Sequence, residues 1–200
     1  MYERQLRFFF SYWEQIDKIS GWMGEEECKW LGELAGKSNS WTEIGSWHGR
    51  SAMAVGLCLS TNALLQIVEI DWSDELTNNL AILEKARPDL VILRYNMSSM
   101  AAANVAKDSD VVFIDANHKE NFVIQDITKW KYKCKILCGH DYIKYWPGVI
   151  KAVDSCLPNT ENPTGTIWVS NLESLSLDPS VQPENDSLQQ LCDMPYHKLL

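Results

Sequence analysis

Apolar residues near the start of the chain recur at the spacing of a helix. The first run comprises Leu6, Phe9, Phe10, Trp13 and Ile16. A second run ends before Gly36, a glycine that suits a helix C-cap, and comprises Trp30, Leu31 and Leu34. Apolar side chains three or four residues apart share one face of a helix. The pattern therefore predicts two helices ahead of the first strand.

Short apolar runs then alternate with amphipathic segments along the rest of the chain. Strands are predicted at residues 41–44, 64–70, 90–95, 111–114, 135–138 and 166–169. Helices are predicted between them, at about residues 49–59, 73–86, 98–106, 119–130 and 147–156. Strands that alternate with helices of this length form mostly parallel sheets with helices on both faces. The predicted fold class is α/β, with a sheet of seven or six strands.

The chain has the length of one domain rather than two. Its 200 residues, 46% of them hydrophobic, can bury a substantial core. We expect N-terminal helices over residues 1–36, packed on or covering a core that spans residues 37–177. Residues 178–200 carry prolines and acids without a clear period, which indicates a tail or a mobile lid.

Composition narrows the classes of partner. A net charge of −9 and a pI near 4.9 repel phosphate backbones, so we expect no nucleic-acid partner. Six scattered cysteines without a CxxC pair indicate reduced thiols rather than a disulfide framework. The apolar start soon reaches Glu14 and Asp17, which argues against a signal peptide or a membrane span. We expect a soluble, cytoplasmic protein with no membrane partner, and a homo-oligomer stays open.

A glycine turn follows the first predicted strand, in the segment Glu43-Ile44-Gly45-Ser46-Trp47-His48-Gly49-Arg50-Ser51. In open α/β sheets, ligands bind beside this turn, at the carboxyl ends of the strands. Gly45 permits a sharp turn and the close approach of a ligand, and Gly49 lets the next helix pack tightly on the strand. A pyrophosphate-binding turn has the pattern GxGxxG, whereas bulky Trp47 stands here at the middle glycine. A dinucleotide would therefore fit poorly.

Two acids at strand ends point to a different cofactor. Glu43 ends the first strand, where a carboxylate would repel a pyrophosphate but attract the ammonium or sulfonium charge of S-adenosylmethionine. Asp71 ends the second strand, 22 residues beyond Gly49, a spacing at which an acid reaches ribose hydroxyls. Glu69, two residues earlier, shares its face. The alternative for each acid is a helix cap or a solvent-facing side chain.

Several segments resemble one known family. They are Gly21-Trp22-Met23, Glu27, Leu31, Glu43-Ile44-Gly45-Ser46 and Gly49-Arg50-Ser51. Together they resemble the class I methyltransferases, and most of all the branch of macrocin O-methyltransferase-like and cephalosporin-hydroxylase-like proteins. The resemblance covers roughly residues 21–169 and implies a Rossmann-like fold over an S-adenosylmethionine-binding core.

The resemblance also names further cofactor-binding candidates. Ser46, Trp47 and Ser51 belong to the glycine turn, and Asn96 and Ser98 fall where the family's adenine-contacting loop follows the third strand. Trp47, Trp72 and Trp146 follow strand ends or open helices, so they are candidates to stack on adenine, ribose or a sugar ring.

A second group of polar residues follows the fourth and fifth strands. Asp115 and Asp141 are expected on neighbouring strands near the cofactor's methyl group, where two oxygen ligands suit a magnesium-like cation. His140 would be a third ligand, and Asp115 would also contact the cofactor. The alternatives are that Asp115 caps a helix and that His118 is a surface residue.

The resemblance assigns roles to the same residues. In metal-using relatives, acids after the fourth and fifth strands hold Mg²⁺, and the histidine three residues past the first acid is the base, here His118. With it, Asp115 and Asp141 complete the catalytic candidates. His140 stands where those relatives often have an acid, which leaves open Mg²⁺, a softer divalent ion or no ion.

These observations predict an S-adenosylmethionine-dependent methyltransferase that acts on a hydroxyl of a small molecule or a glycan. A cation or a base is needed because a hydroxyl is a poor nucleophile until it is polarised or deprotonated. One alternative is an NAD(P)-dependent oxidoreductase, against which the missing middle glycine argues. Another is a non-catalytic ligand-binding module that keeps the fold.

Overall fold

The computed structural model describes residues 2–172, with side chains from residue 9 onward. The predicted tail lies outside this range. The helices are α1 Tyr2–Lys18, α2 Glu25–Ala35, α3 Arg50–Cys58, α4 Asp74–Ala86, α5 Ser99–Ala102, α6 Glu120–Trp130 and α7 Pro147–Cys156. The strands are β1 Ser40–Ile44, β2 Leu64–Glu69, β3 Val91–Asn96, β4 Ser109–Ile114, β5 Cys134–Gly139 and β6 Trp168–Asn171.

The strands form one sheet in the order β3-β2-β1-β4-β5-β6. The first five are parallel, and β6 pairs antiparallel with β5. The prediction of an α/β fold with a mostly parallel sheet is confirmed, and the sheet has six strands. The order reverses between β1 and β4, so the loops after these two strands diverge there and leave a crevice.

Side chains alternate between the two faces of the sheet, as the strand period requires. One face carries Trp41, Ile67 and Phe113, and it packs against α1 to α4. The other face carries Val112 and Leu137 and packs against α5 to α7. Helices therefore cover both faces, and the polar residues that end the strands are left at one edge.

The two N-terminal helices pack on α3. Phe9 and Ile16 of α1 and Leu31 of α2 are fully buried in the same cluster as the sheet. The glycine of α2, Gly32, lies where a Cβ would approach Cys58 of α3 to 2.9 Å, so the two helices are in close contact. Among the described residues, no helix has the length and apolar character to cross a membrane.

Most predicted elements shift by one or two residues at an end in the structure, and two of the changes have a clear local cause. The helix expected at residues 98–106 is limited to Ser99–Ala102, and turns carry the chain on while Ala106 stays buried. The last strand begins at Trp168, because a turn that joins Ile167 N–H to the Thr164 carbonyl at 3.0 Å occupies the residues before it.

Candidate active site

The turn between β1 and α3 passes directly over the end of β4. Gly45 has φ +82°, in the left-handed region that favours glycine. A Cβ here would collide with the carbonyl oxygen of Asp115 and would lie 2.8 Å from the Cα of Ala116. Only glycine therefore lets the turn lie against the loop after β4. This approach brings both loops into the wall of one cleft.

The carboxylate of Glu69, at the end of β2, holds the turn in place. Its Oε2 atom accepts hydrogen bonds from the backbone amides of Ser46 and Trp47, each at 2.9 Å. Its Oε1 atom accepts one from the amide of Asp71, also at 2.9 Å. Such charge-assisted bonds are strong and compensate for Trp47 at φ +47°. Sequence analysis placed Glu69 beside Asp71 but missed this role. The feature that could have indicated it is an acid at the end of the strand next to the glycine turn.

Two cavities open along the carboxyl ends of the strands. The first cavity has a volume of about 400 Å³ and lies over β1, β2 and β3. The second cavity, of about 540 Å³, lies between the glycine turn, the α1–α2 loop and the loop after β5. Gly45, Trp47, Asp115 and Ala116 line both of them. The cavities are therefore neighbouring halves of one cleft.

Many of the predicted cofactor residues line this cleft. Asp71 and Ser98 face the first cavity, Ser46 and Ser51 face the second, and Trp47 and Asp115 face both. The first cavity also has walls that the sequence did not indicate, supplied by Met97, Met100, Phe122, Gln125 and Asp126. These residues lie on α6, on α5 or in the β3–α5 loop, and they form a cavity wall only when those elements pack together.

Four other predicted residues lie outside the cavity walls. Gly49, at φ +86°, begins α3 close to Leu76, and Asn96 is exposed at the end of β3. The Trp72 indole donates to the Thr77 hydroxyl at 2.9 Å. Glu43, the fourth of these residues, is fully buried. A direct cofactor contact by these residues stays a prediction.

Glu43 is fully buried beneath the glycine turn. Its Oε1 atom accepts a hydrogen bond from the Ser51 hydroxyl at 2.9 Å. Burial raises the pKa of Glu43 from 4.5 to about 8, against the opposing effect of the neighbouring Ser46 and Ser51 hydroxyls. Its carboxyl group is thus largely protonated at neutral pH and supports the turn from inside the fold.

The second cavity contains an acid–histidine cluster, formed by Asp115, His118, His140 and Asp141. His118 Nε2 lies 2.8 Å from Asp141 Oδ2 and 3.8 Å from Asp115 Oδ1. His140 Nδ1 lies 3.5 Å from Asp141 Oδ1 and 3.6 Å from Asp115 Oδ2. The fold thus brings together all the residues that the sequence proposed for catalysis and metal binding.

Glu27 of α2 joins this cluster from far away in the sequence. Its Oε1 atom lies 3.3 Å from His140 Nε2 and accepts a hydrogen bond from the Thr166 amide at 2.7 Å. Its Oε2 atom accepts one from the Gly24 amide at 3.0 Å. Glu27 therefore ties the N-terminal helices to the loop before β6 and orients the His140 ring. Sequence analysis noted Glu27 only within the family resemblance.

Proximity of opposite charges controls protonation in the cluster. The neighbouring carboxylates of Asp115 and Asp141 raise the pKa of His118 to about 9. Burial lowers the pKa of His140, but Asp141, Glu27 and the charge of Asp115 outweigh it and raise that pKa to about 10. Burial would raise the pKa of Asp141, yet His118 and His140 hold it well below its usual range. Both histidines are thus cations at neutral pH in the ligand-free chain.

The same residues form a donor set that fits a divalent cation. Asp115, His140 and Asp141 each offer one ligand atom, and these atoms lie within 4.8 Å of one another. Since Glu27 faces the Nε2 atom of His140, the Nδ1 atom is left on the side of the two aspartates. An imidazole oriented by a carboxylate is a common arrangement around metal ions in proteins.

Aromatic side chains surround the mouth of the second cavity. Trp22 and Trp47 meet edge to face with ring centres 5.4 Å apart. On the other side, Trp146 lies 4.2 Å from the His118 ring and 5.0 Å from Tyr145. Trp22 and Tyr145 are 81% and 78% exposed, although both are large aromatic residues. Exposed aromatic rings at a cavity mouth are typical of a binding surface.

The comparison with protein families decides the class of the protein. The model of the methyltransferase domain family matches residues 42–142, about half of the chain. The chain belongs to this methyltransferase family. The match runs from β1 through the glycine turn, Asp115 and His118 to Asp141. The predicted family is confirmed, and the match favours it over the nicotinamide oxidoreductase.

Solved methyltransferase structures share the fold of this methyltransferase. An O-methyltransferase from Bacillus cereus in complex with SAH is 13% identical, with a TM-score of 0.61 over 84% of this chain and 90% of that one. The O-methyltransferase TomG from Streptomyces achromogenes, in complex with SAM, is 14% identical, with a TM-score of 0.60 over 84% and 89%. A methyltransferase from Geobacter sulfurreducens is 14% identical, with a TM-score of 0.61 over 82% and 87%. No curated protein matches the chain.

Proposed function

We propose that this methyltransferase transfers the methyl group of S-adenosylmethionine to a hydroxyl of a small molecule or a sugar. The observation that carries the proposal is the continuous cleft in which a ligand cavity and the cavity of the acid–histidine cluster meet at the glycine turn and Asp115. The similar structures from Bacillus cereus and Streptomyces achromogenes are O-methyltransferases in complex with SAH and SAM. Fold and site chemistry thus support the same reaction.

The first cavity suits the nucleoside part of the cofactor. Asp71 offers a carboxylate for ribose hydroxyls, and Met97, Met100 and Phe122 offer apolar walls for a planar base. S-adenosylmethionine supplies, when bound, an electrophilic methyl group on a sulfonium. Asp115 lies where the two cavities meet, so its carboxylate is available to the positive end of the cofactor.

The acid–histidine cluster suits activation of the acceptor hydroxyl. Asp115, His140 and Asp141 would hold a divalent cation such as Mg²⁺, which would lower the pKa of a hydroxyl that it contacts. His118 Nε2 faces both aspartates and is the atom at which we place the released proton. His118 must first lose its own proton, because its pKa is about 9 in the ligand-free chain.

The aromatic mouth favours a ring-shaped acceptor. Trp22, Trp47, Tyr145 and Trp146 present ring faces and edges on which a sugar or an aromatic ring can pack. A sugar or another polyhydroxylated ring fits these walls and also supplies the hydroxyl that would be methylated.

Calorimetry tests the cofactor assignment. S-Adenosylhomocysteine should bind with one saturable site, and NAD⁺ should not bind under the same conditions. Binding of NAD⁺ without binding of S-adenosylhomocysteine would overturn the proposal.

Methyl transfer from labelled S-adenosylmethionine is then measured with a panel of sugars and catechols. Cofactor binding without transfer to any acceptor, even in a metabolite extract, would support the non-catalytic module instead.

Chelation tests the cation. Excess EDTA should abolish methyl transfer, and Mg²⁺ or Mn²⁺ should restore it. Asp141→Asn should lower the affinity for Mn²⁺, measured by calorimetry, because it removes one of the charged ligands. Full activity in excess chelator would remove the cation from the proposal and leave the histidine to act alone.

A further inference from the structure

A buried carboxyl group faces the first cavity on the side away from the acid–histidine cluster. Asp126 lies on α6, is 5% exposed and lines the cavity one residue after Gln125 and one helical turn after Phe122. Aspartate is almost never buried to this extent without a partner. The position therefore calls for an explanation.

The protein supplies Asp126 with little compensation for its burial. The Trp130 indole donates to the Ser99 hydroxyl oxygen at 2.8 Å, which leaves the Ser99 proton to be donated to Asp126. Within residues 2–172, burial and this hydrogen bond are the two influences on the pKa of Asp126, and no cation takes part. A carboxyl group has two oxygens, so one hydroxyl donor leaves acceptor capacity for a ligand.

The surroundings specify the kind of donor that would complete the site. Met97, Met100 and Phe122 give the cavity apolar walls, which suit the faces of a planar base. Asp71, the acid suited to ribose, comes from the end of β2, whereas Asp126 comes from α6 on the other face of the sheet. A nucleoside whose ribose contacts Asp71 would therefore present an edge of its base, rather than its ribose, to α6.

We infer that Asp126 accepts a hydrogen bond from the exocyclic amine of adenine and thereby selects adenosyl cofactors. The inference rests on the proposed function, since it places S-adenosylmethionine in the first cavity. An amine is the complementary group because it offers N–H donors to a carboxyl oxygen in a water-poor site. A purine that lacks the amine leaves Asp126 buried and unpaired, which costs binding free energy.

The test compares S-adenosylhomocysteine with its 6-deamino analogue, in which a hydrogen replaces the amine. Calorimetry should show that the wild-type chain binds the analogue roughly 10- to 100-fold more weakly. In Asp126→Ala the two ligands should bind within about threefold of each other, because both halves of the hydrogen bond are then absent. Asp71→Asn is the matched control from the same cavity, and it should weaken both ligands while keeping the preference for the amine.

The outcomes separate this inference from the proposed function. If S-adenosylhomocysteine binds and the wild-type chain does not distinguish the analogue, the role of Asp126 is overturned while the cofactor assignment stands. If neither ligand binds, the proposed function and this inference both fail. If the alanine variant does not fold, Asp126→Asn replaces it in the same comparison of the two ligands. Its amide presents one acceptor oxygen and one donor nitrogen, so the preference for the amine should fall below that of the wild type. An unchanged preference in a folded variant would also overturn the inference.

Discussion

The region of the glycine turn and first cavity and the acid–histidine cluster hold buried carboxyl groups in opposite ways. Burial raises the pKa of Glu43, beneath the turn, to about 8, and it raises that of Asp126, in the wall of the first cavity, to about 7. In the acid–histidine cluster, burial also acts to raise the pKa of Glu27, but His140 and two backbone amides bring it down to about 2. Asp141 is held low by two histidines in the same way.

The difference comes from partners rather than from depth. A carboxyl group without a nearby cation avoids the cost of a buried charge by keeping its proton. A carboxyl group beside an imidazolium keeps its negative charge, and the imidazolium keeps its proton. Glu43 and Asp126 therefore keep their protons to a higher pH than usual, whereas the acid–histidine half of the cleft offers charges that can move a proton or bind a cation.

The largest expected effect is on the charged half. His118→Ala should lower kcat by about 10²- to 10⁴-fold, because the group placed to take the acceptor's proton is lost. Affinity for S-adenosylhomocysteine should change by less than about threefold, since His118 lines the second cavity and not the first. The measurement pairs steady-state kinetics with calorimetry. Exposed Lys119→Ala is the control, and normal turnover by the histidine variant would refute the assignment.

The junction between the halves should be intolerant of a side chain. Gly45→Ala combines φ +82° with a collision against the Asp115 carbonyl, so it should cost roughly 2–5 kcal/mol of unfolding free energy. Urea denaturation measures the loss. In Gly24→Ala, by contrast, the nearest atom to the new Cβ is 3.9 Å away, and the loss should stay below about 1 kcal/mol. Equal losses in the two variants would contradict the proposed packing of the turn.

The buried carboxyl group of Glu43 should make the protein less stable as pH rises. Between pH 4.5 and 8 the folded chain holds the Glu43 proton that the unfolded chain releases, so stability falls across this window. Glu43→Gln cannot ionise and should lose less stability from pH 5 to pH 8.5, by on the order of 3–4 kcal/mol. Urea unfolding at the two pH values checks this, with exposed Glu161→Gln as the control. A glutamine variant with the wild-type pH dependence would show that Glu43 is already charged.

The charged half should show the opposite, smaller dependence on pH. The pKa of Glu27 is lowered from 4.5 to about 2, so its stabilisation is complete above pH 4.5 and is lost as pH falls toward 2. Glu27→Gln should cost about 1–3 kcal/mol at pH 7 and should flatten the loss of stability in acid. Thermal unfolding at pH 7 and pH 3 measures both effects. The exposed neighbour Glu26→Gln should leave them unchanged, and a parallel acid profile in Glu27→Gln would argue against the His140 pair.

Residues that end strands could be located from the chain alone. Gly45, Asp71, Asp115 and Asp141 follow apolar runs directly, and parallel strands bring their carboxyl ends to one edge. Asp126 could not be found in this way, because an acid in an amphipathic helix is ordinarily exposed. Its burial depends on how α6 packs against the loop that contains Ser99.

Local pattern thus determined the α/β fold, the glycine turn and the acids and histidines at the strand ends, since each depends on neighbours a few residues apart. Tertiary structure alone decided which acids are charged. Glu27 meets Thr166 across 139 residues of sequence and reaches His140 only because α2 packs on α3. Burial and partner distance set a pKa, and both are properties of the packed molecule rather than of the order of its residues.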